Sequence, residues 1–355
     1  MGQLALIYPC INPYIAQEAR QPHTIHRYSR LFAHDGKIRE LDRYAKSAYY
    51  GGPRGSGVME VLAVQQILFE EVTAGLVRPM REQLLKWIGN KQRFSHQIAA
   101  YFPNQFRTYF EPFLGSGAVL GTLAPQRAIA SDCFGPLIEI WQTLSSSPET
   151  LKRWYTERYN LVAVKGKHPT YEQVLAAYNS RPNGADLLFI CRACYGGVVR
   201  FRKADGYCST PCGIHAPMPP AKFASRVDLW HRRTRGTKFL NADFREVMRE
   251  AQSGDVVYCD PPYSHSQTIL YGAQAFSLEE LFSEIEHCRS RGVSVALSID
   301  GMKKNGSRLC DLPIPADLFE REIFLSCGRS MLRRFQRAGE TLEDEVVHDR
   351  LLLTY

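Results

Sequence analysis

The feature that most constrains the fold is a series of apolar, strand-like runs separated by helix-like segments, beginning near residue 84. Helix-like segments such as Leu278–Arg291 lie between several of the runs. Strands that alternate with helices pair in parallel, because a helical crossover returns the chain to the same edge of the sheet. The sequence therefore predicts an α/β fold with a mainly parallel sheet and helices on its faces. The strand-like runs are Arg107–Phe113, Arg127–Ser131, Lys238–Leu240, Val256–Cys259 and Val293–Ser298.

Two segments do not fit this alternation. Residues 1–80 are an N-terminal extension whose role the sequence does not reveal. Residues 191–235 are rich in Gly, Pro and basic side chains, and they predict a small inserted lobe with a hairpin and loops. The main domain is then expected to consist of residues 81–190 and 236–355.

Composition narrows the class of protein. The chain has 355 residues, 45% of them hydrophobic, which is enough for a packed core. No apolar run approaches the roughly 20 residues that span a bilayer, and no basic region precedes the apolar N-terminus, so we expect a cytoplasmic protein without a membrane partner. The ten cysteines are then expected to be reduced. Cys191, Cys194, Cys208 and Cys212 have the spacing of a loose zinc ribbon, but an apolar helix around the first two favours core packing, and no metal is predicted.

Positive charge is concentrated in two places. The net charge is +8, and residues 192–238 contain ten Arg or Lys but only two acids, with aromatic residues interleaved. A second group, which includes Arg333 and Arg334, surrounds Phe335. Basic side chains mixed with aromatic rings are typical of nucleic-acid contact through phosphates and stacked bases, although a solvated basic face gives the same pattern.

A glycine turn follows the first strand-like run, with Gly115 and Gly117 inside the segment Phe110–Ala118. Glycine lets a ligand approach the backbone closely, because there is no Cβ in the way. The turn alone is weak evidence, but Asp132 follows the next strand-like run, where a carboxylate can accept hydrogen bonds from the ribose hydroxyls of an adenosine cofactor. The lysine of a P-loop and the third glycine of a dinucleotide fingerprint are both missing from the sequence.

The sharpest signal is Asp260-Pro261-Pro262-Tyr263, which directly follows the apolar run Val256–Cys259. Two prolines make a stiff turn, which leaves the Pro261 carbonyl free to accept a hydrogen bond beside the Asp260 carboxylate. An adenine amino nitrogen is a poor nucleophile because its lone pair is delocalised into the ring. Two acceptors on its N–H groups would aim the lone pair at a methyl donor, and the Tyr263 ring could stack on the base. An inert strand-ending turn is the alternative.

Three segments occur in a fixed order: Leu85–Lys91, Glu111–Gly117 and Tyr258–Tyr263. With them the chain resembles the α-group, Dam-type (D12 class) N6-adenine DNA methyltransferases from about residue 84 to its end. The resemblance implies a Rossmann-like S-adenosylmethionine-dependent methyltransferase fold with a small inserted target-recognition lobe. It further implies site-specific methyl transfer from S-adenosylmethionine to N6 of an adenine flipped out of double-stranded DNA.

The resemblance also assigns residues to roles. Asp260, Pro261, Pro262 and Tyr263 correspond to the catalytic segment. DNA contacts are expected from Arg192, Arg200, Arg202, Lys203, Arg333 and Arg334, the last two from the basic group around Phe335. The cofactor-binding residues are expected to be Trp87, Lys91, Phe113, Gly115, Gly117, Asp132, Asp243 and Asp260.

Departures from the family pattern leave the DNA target open. Ile88 and Asn90 replace small residues, Gly196 replaces a common Asn, and Cys212 replaces a common Phe. An N4-cytosine methyltransferase, an RNA methyltransferase and a catalytically silent DNA-binding protein are the alternatives, and the presence of Asp260 favours adenine and an active enzyme. A homodimer and a restriction endonuclease partner are compatible with the sequence, which predicts neither.

Overall fold

The computed structural model describes residues 77–202, 204–262, 276–303, 308–309, 312–329 and 346–355. The predicted extension, residues 1–80, falls almost wholly outside them. Over the described residues the strands are β1 (Tyr109–Glu111), β2 (Ala128–Asp132), β3 (Thr237–Asn241), β4 (Val256–Cys259), β5 (Ser294–Lys303), β6 (Arg308–Leu309), β7 (Arg321–Arg329) and β8 (Val346–Leu353).

The strands form one sheet in the order β3-β2-β1-β4-β5-β8-β7, with β6 paired to β5. Strands β1 to β5 pair in parallel, whereas β8 runs antiparallel to both β5 and β7. Each of the predicted strand-like runs contains or overlaps one of β1 to β5, and the predicted α/β class with a mainly parallel sheet is confirmed. The strand order reverses direction at β1 and β4, which is the topological switch point where ligands bind in open α/β sheets.

The helices of the described residues are α1 (Ser95–Ala100), α2 (Ala118–Leu123), α3 (Gly135–Ser146), α4 (Pro148–Lys165), α5 (Lys167–Ser180), α6 (Gly184–Ala193), α7 (Pro220–Arg233), α8 (Phe244–Glu250) and α9 (Leu278–Ser290). Polar residues mark several of their starts. The Asn183 side chain accepts from the Asp186 amide at α6, and the Asp243 and Ser277 side chains cap α8 and α9 in the same way. No helix within these described ranges is long and apolar enough to cross a membrane.

Hydrophobic cores cover both faces of the sheet. Successive residues of a strand point to opposite faces, so Val256 and Tyr258 of β4 join one core while Val257 and Cys259 join the other. A central parallel strand with both faces buried consists of apolar residues throughout, which explains the uninterrupted run before Asp260.

The basic segment 191–235 contains both a hairpin and a helix. Antiparallel bridges link Cys194 with Cys212 and Phe201 with Cys208, as the predicted hairpin requires. The expectation of loops is wrong for residues 220–233, which form α7. Its Trp230 ring lies 5.4 Å from the Trp141 ring of α3, so this part of the segment contributes to the core.

Candidate active site

A cleft of about 430 Å³ opens at the carboxyl ends of β1 and β4, at the switch point of the sheet. The cleft combines residues from all three segments that carried the family resemblance. It is lined by Trp87, Ile88, Gly89, Lys91, Glu111, Phe113, Leu114, Gly115, Ser116, Ala118, Val119, Tyr258, Asp260 and Pro262.

The glycine turn between β1 and α2 forms one wall of the cleft. Gly115 has a φ of +47° and Gly117 a φ of +61°, a region that favours glycine. A Cβ on Gly115 would lie 3.3 Å from Cδ1 of the Trp87 indole, and one on Gly117 would lie 3.0 Å from the Trp141 ring. The turn is fixed from behind because Trp141 Nε1 donates to the Gly115 carbonyl oxygen at 3.2 Å. A side chain at Gly115 would therefore press on a ring that lines the cleft, and one at Gly117 would press on the ring that holds the turn.

Asp132 ends β2 and ties that strand to the glycine turn. Its Oδ2 accepts from the Gly115 amide at 3.0 Å and its Oδ1 accepts from the Phe134 amide at 3.1 Å. Burial raises the pKa of the Asp132 carboxyl to about 6, although the two amide hydrogen bonds lower it. Asp132 does not line the cleft itself. It is hydrogen-bonded to the glycine turn, which does line the cleft.

Lys91 and Asp260 form the central ion pair of the cleft. Lys91 Nζ donates to Asp260 Oδ1 at 2.6 Å and to the Gly89 carbonyl oxygen at 3.1 Å. Asp349 of β8 places its Oδ2 3.8 Å from the same nitrogen. Only 5% of the Lys91 side chain is exposed, and a buried ammonium group needs such partners to offset the loss of water.

Glu111, at the end of β1, is a buried acid that the sequence analysis did not single out. Its Oε2 accepts from the Tyr109 hydroxyl at 2.8 Å and from the Leu120 amide at 3.0 Å. Burial raises the pKa of Glu111 to about 8, and the nearby charge of Asp260 adds to that effect against the two hydrogen bonds. The signal was present in the sequence, since an acid directly after a strand and before a glycine turn is placed at the carboxyl edge of the sheet. Glu111, Asp260 and Asp349 are called the acid cluster below.

Of two other expected cofactor residues, Phe113 lines the cleft and Asp243 does not. The Phe113 ring stacks on the Phe244 ring of α8 with centroids 5.2 Å apart, and Phe113 lines the cleft. Asp243 caps α8 and forms an ion pair with Arg245 Nε at 2.7 Å. Asp243 is not a lining residue of the cleft, so the structure does not bring it into the group around Lys91 and Asp260.

Pro261 and Pro262 directly follow β4, and Pro262 lines the cleft beside Asp260. Tyr263, the last residue of the predicted catalytic segment, lies outside the described residues. The structure thus places Asp260 and Pro262 in the cleft together with Lys91 and the glycine turn, as the motif order suggested.

The expected DNA-binding residues separate into groups. Arg192 is buried, and its Nη1 donates to the Gln83 and Leu84 carbonyl oxygens at 3.2 and 3.0 Å, so Arg192 is not retained as a DNA contact. Arg200 and Arg202 lie on the hairpin, where Arg202 is exposed, pairs with Asp205 at 2.7 Å and stacks over the Tyr207 ring at 4.2 Å. Lys203, Arg333 and Arg334 lie outside the described residues.

The cysteines of the zinc-like pattern are part of the hairpin base. Cys191, Cys194 and Cys208 are buried, and burial raises the pKa of each of these thiols. Within the described ranges, no group of three or more His, Cys, Asp or Glu side chains is arranged to hold a metal ion.

Fold and cleft together define a Rossmann-like methyltransferase, since a glycine turn, an acid after β2 and the Asp-Pro-Pro segment after β4 meet at the switch point of the sheet. The model of the D12 class N6 adenine-specific DNA methyltransferases matches residues 87–320, and the chain belongs to this family.

Relatives of known name agree with the family. A type II methyltransferase of Lactococcus lactis subsp. cremoris, M1.LlaDCHI, is 27% identical over 60% of this chain and 79% of its own length. A DNA adenine methylase of Vibrio cholerae serotype O1 is 26% identical over the same shares. A DNA N-6-adenine-methyltransferase of Escherichia phage P1 is 27% identical over 63% of this chain and 31% of its own.

These findings confirm the predicted reaction. The chain is an enzyme that methylates adenine N6 in DNA, and the family and its relatives favour adenine over cytosine and DNA over RNA. An active enzyme is favoured over a silent DNA-binding protein for the same reason, because the family is defined by this reaction.

Proposed function

We propose that the methyl donor is S-adenosylmethionine and that it binds in the cleft beside the glycine turn. The residues present fit such a ligand: Trp87 and Phe113 offer flat apolar surfaces, and the backbone at Gly115 can be approached without a Cβ. Bound there, the cofactor would supply an activated methyl group. The observation that carries the proposal is that this turn and Asp260 line one and the same cleft.

Two acids are proposed to hold the adenosine part of the cofactor. Asp132 ends β2, and each carboxylate oxygen keeps a lone pair beyond the amide hydrogen bond that it already accepts. It can therefore accept from ribose hydroxyls while still bracing the glycine turn. Asp243, the N-cap residue of α8, is proposed to lie near the adenine ring of the cofactor. Arg245 pairs with its carboxylate and restricts its position.

Asp260 and Pro261 are proposed to orient the amino group of the target base. The Asp260 carboxylate and the Pro261 carbonyl would accept the two N–H groups and so direct the nitrogen lone pair toward the methyl group. Lys91 donates to Asp260 Oδ1 at 2.6 Å and so restricts the orientation of the carboxylate that would face the amino group. Pro262 stiffens the turn, and Tyr263 is proposed to stack on the base.

The substrate is proposed to be double-stranded DNA with the target adenine flipped out, because N6 cannot reach a carboxylate inside the cleft while the base is stacked. Arg200 and Arg202 of the hairpin are proposed to contact bases or phosphates. Lys203, Arg333 and Arg334 are proposed to contribute further phosphate contacts. A cytoplasmic location stays a prediction, and a homodimer and an endonuclease partner stay compatible with the sequence.

The test is to sequence, with a method that detects modified bases, the DNA of a methylation-deficient host that expresses the chain. Parallel cultures would express Asp260→Ala and, as a matched control, Glu157→Ala, which removes an exposed carboxylate of α4. We expect N6-methyladenine at one short motif with the wild type and the control, and none with Asp260→Ala. N6-methyladenine that persists in the DNA of the Asp260→Ala culture would overturn the proposed role of Asp260.

A further inference from the structure

The Lys91 ammonium group is surrounded by oxygen atoms from three separate parts of the chain. Asp260 Oδ1 lies 2.6 Å away after β4, the Gly89 carbonyl oxygen 3.1 Å away in the same loop, and Asp349 Oδ2 3.8 Å away on β8. An ammonium group carries three protons on a freely rotating stem. Oxygens from three residues therefore restrict the position of the ammonium group more than one carboxylate alone would.

Asp349 is held more firmly than a loop residue would be. Its backbone lies in β8, paired with Asp300 of β5 on one side and with Leu325 of β7 on the other. Its side chain is 10% exposed, which favours a defined position. The next residue, Arg350, points to the opposite face of the sheet, as strand alternation requires, and pairs there with Glu322 at 2.6 Å.

We propose that Asp349 is a positioning residue for methyl transfer, which acts by orienting the Lys91 ammonium group and through it the Asp260 carboxylate. The proposal rests on the proposed role of Asp260 as the acceptor for the target amino group. Asp349 is not a lining residue of the cleft, and its proposed role acts through the ion pair with Lys91 and needs no contact with the substrate.

The geometry around Lys91 explains why a second carboxylate matters. Lys91 Nζ is held at 2.6 Å by Asp260 Oδ1, and the Asp349 carboxylate of β8 attracts the same nitrogen from 3.8 Å. Without that carboxylate, the ammonium group would move toward Asp260 and turn its carboxylate away from the substrate. A deviation of well under 1 Å is enough to slow a reaction that depends on alignment.

Two other polar groups at this end of the sheet, among the described residues, have partners of their own. Tyr258 is engaged with Ser298, its hydroxyl 2.9 Å from the Ser298 Oγ. Glu111 accepts from Tyr109 and Leu120 through Oε2. Of the acid cluster, only Asp260 and Asp349 form ion pairs with Lys91.

The experiment measures the single-turnover rate of methyl transfer to a duplex oligonucleotide and the dissociation constants for S-adenosylmethionine and DNA. The variants are Asp349→Asn, Asp349→Glu, Lys91→Met and Lys91→Met/Asp349→Asn. Glu322→Gln is the matched control, because it removes a carboxylate from an ion pair with the next residue of β8 on the other face of the sheet.

We expect Asp349→Asn to slow the transfer step about tenfold or more while both dissociation constants stay within about threefold of wild type. Asp349→Glu should recover most of that loss, and Glu322→Gln should transfer at the wild-type rate. In the Lys91→Met variant, adding Asp349→Asn should change the transfer rate less than about twofold, because Asp349 is proposed to act only through Lys91.

Several outcomes would overturn the inference. They are a wild-type transfer rate for Asp349→Asn, a loss of equal size with and without Lys91, and an Asp349→Glu variant as slow as Asp349→Asn. Thermal melting curves show whether each variant is folded, so that a slow rate can be assigned to misalignment and not to unfolding. If Asp349→Asn does not fold, the transfer rate of the charge-conserving Asp349→Glu variant still tests the inference. Failure of the proposed function is distinguishable, because then Asp260→Ala would transfer methyl groups at the wild-type rate.

Discussion

At the scale of single residues, the cleft is built from charges that could not exist alone in a protein interior. Glu111, Asp260 and Asp349 come from different strands and share the neighbourhood of one buried lysine. Two carboxylates pair with Lys91, and burial keeps the third acid, Glu111, protonated at neutral pH with a pKa of about 8. The site therefore carries less negative charge than its carboxyl groups suggest.

The raised pKa of Glu111 predicts a pH dependence of stability. The folded protein keeps a proton on Glu111 up to about pH 8, whereas the unfolded chain releases it near the usual value of 4.5. The contribution of Glu111 is fully present below that lower value and is lost as pH rises toward 8. In this window the slope is at most about 1.4 kcal/mol of unfolding free energy per pH unit.

The measurement is denaturant unfolding of wild type and Glu111→Gln across this pH window. We expect the Gln variant to lose less stability on going from acid to neutral pH, because its side chain does not ionise. Glu157→Gln, which removes an exposed carboxylate, should keep the wild-type slope. Equal slopes of unfolding free energy against pH for wild type and Glu111→Gln would contradict the protonated state of Glu111.

Gly115 supplies a second prediction at this scale. An alanine there combines an unfavourable positive φ with a Cβ 3.3 Å from the Trp87 indole, so the ring, which lines the cleft, must shift by a few tenths of an ångström. We expect Gly115→Ala to weaken binding of S-adenosylmethionine at least about tenfold, measured by calorimetry. Gly166→Ala has a φ of +82° but no neighbour closer than 3.8 Å, and should bind as wild type does. Equal affinities for the two variants would rule out this steric role.

At the scale of elements, the sequence predicted the parts of the fold that depend on local pattern. The run Val256–Cys259 is strand β4 with unchanged bounds, and Leu278–Arg291 is one residue longer than α9. Hydrophobic periodicity and turn chemistry suffice for such elements because both are read within a few residues. The hairpin at residues 194–213 was also predicted, from its Gly and Pro content and from the family resemblance.

The parts that escaped prediction depend on distant contacts. Lys91 and Asp260 are 169 positions apart, and Asp349 reaches the same place only because β8 inserts between β5 and β7. No local pattern reveals such an insertion. Arg192 was expected at the DNA because it is basic, yet its position on the buried α6 turns it toward backbone carbonyls. Helix α7 was missed because Pro and Gly around it suggested loops.

The hairpin gives a prediction at this scale. Arg202 is an exposed cation at its tip, held by Asp205 and the Tyr207 ring. We expect Arg202→Ala to weaken duplex DNA binding and to reduce the slope of log affinity against log salt by about 1 if the contact is to a phosphate. Arg153→Ala on α4, another exposed arginine paired with a nearby acid, should leave both quantities unchanged. Identical salt slopes for wild type and Arg202→Ala would remove Arg202 from the phosphate-contact set.

At the scale of the whole molecule, the sheet explains why one cleft can serve two ligands. The strand order diverges at β1 and β4, so the loops after them separate and leave a crevice at the carboxyl edge. The glycine turn after β1 forms the proposed cofactor side of the crevice, and the Asp260 turn after β4 forms the proposed substrate side. The proposed site thus uses the loops of two neighbouring strands, and Lys91 pairs with Asp260 on the substrate side.

The most direct test of this account is a single-turnover assay of methyl transfer from S-adenosylmethionine to a duplex that contains the target motif, with wild type and Asp260→Asn at saturating cofactor and DNA. Asp260→Asn keeps the shape of the side chain but loses the carboxylate that pairs with Lys91 and is proposed to accept the hydrogen bond of the amino group. We predict N6-methyladenine from the wild type and a rate at least about 100-fold lower from the folded variant. Transfer by Asp260→Asn at the wild-type rate would contradict the central claim.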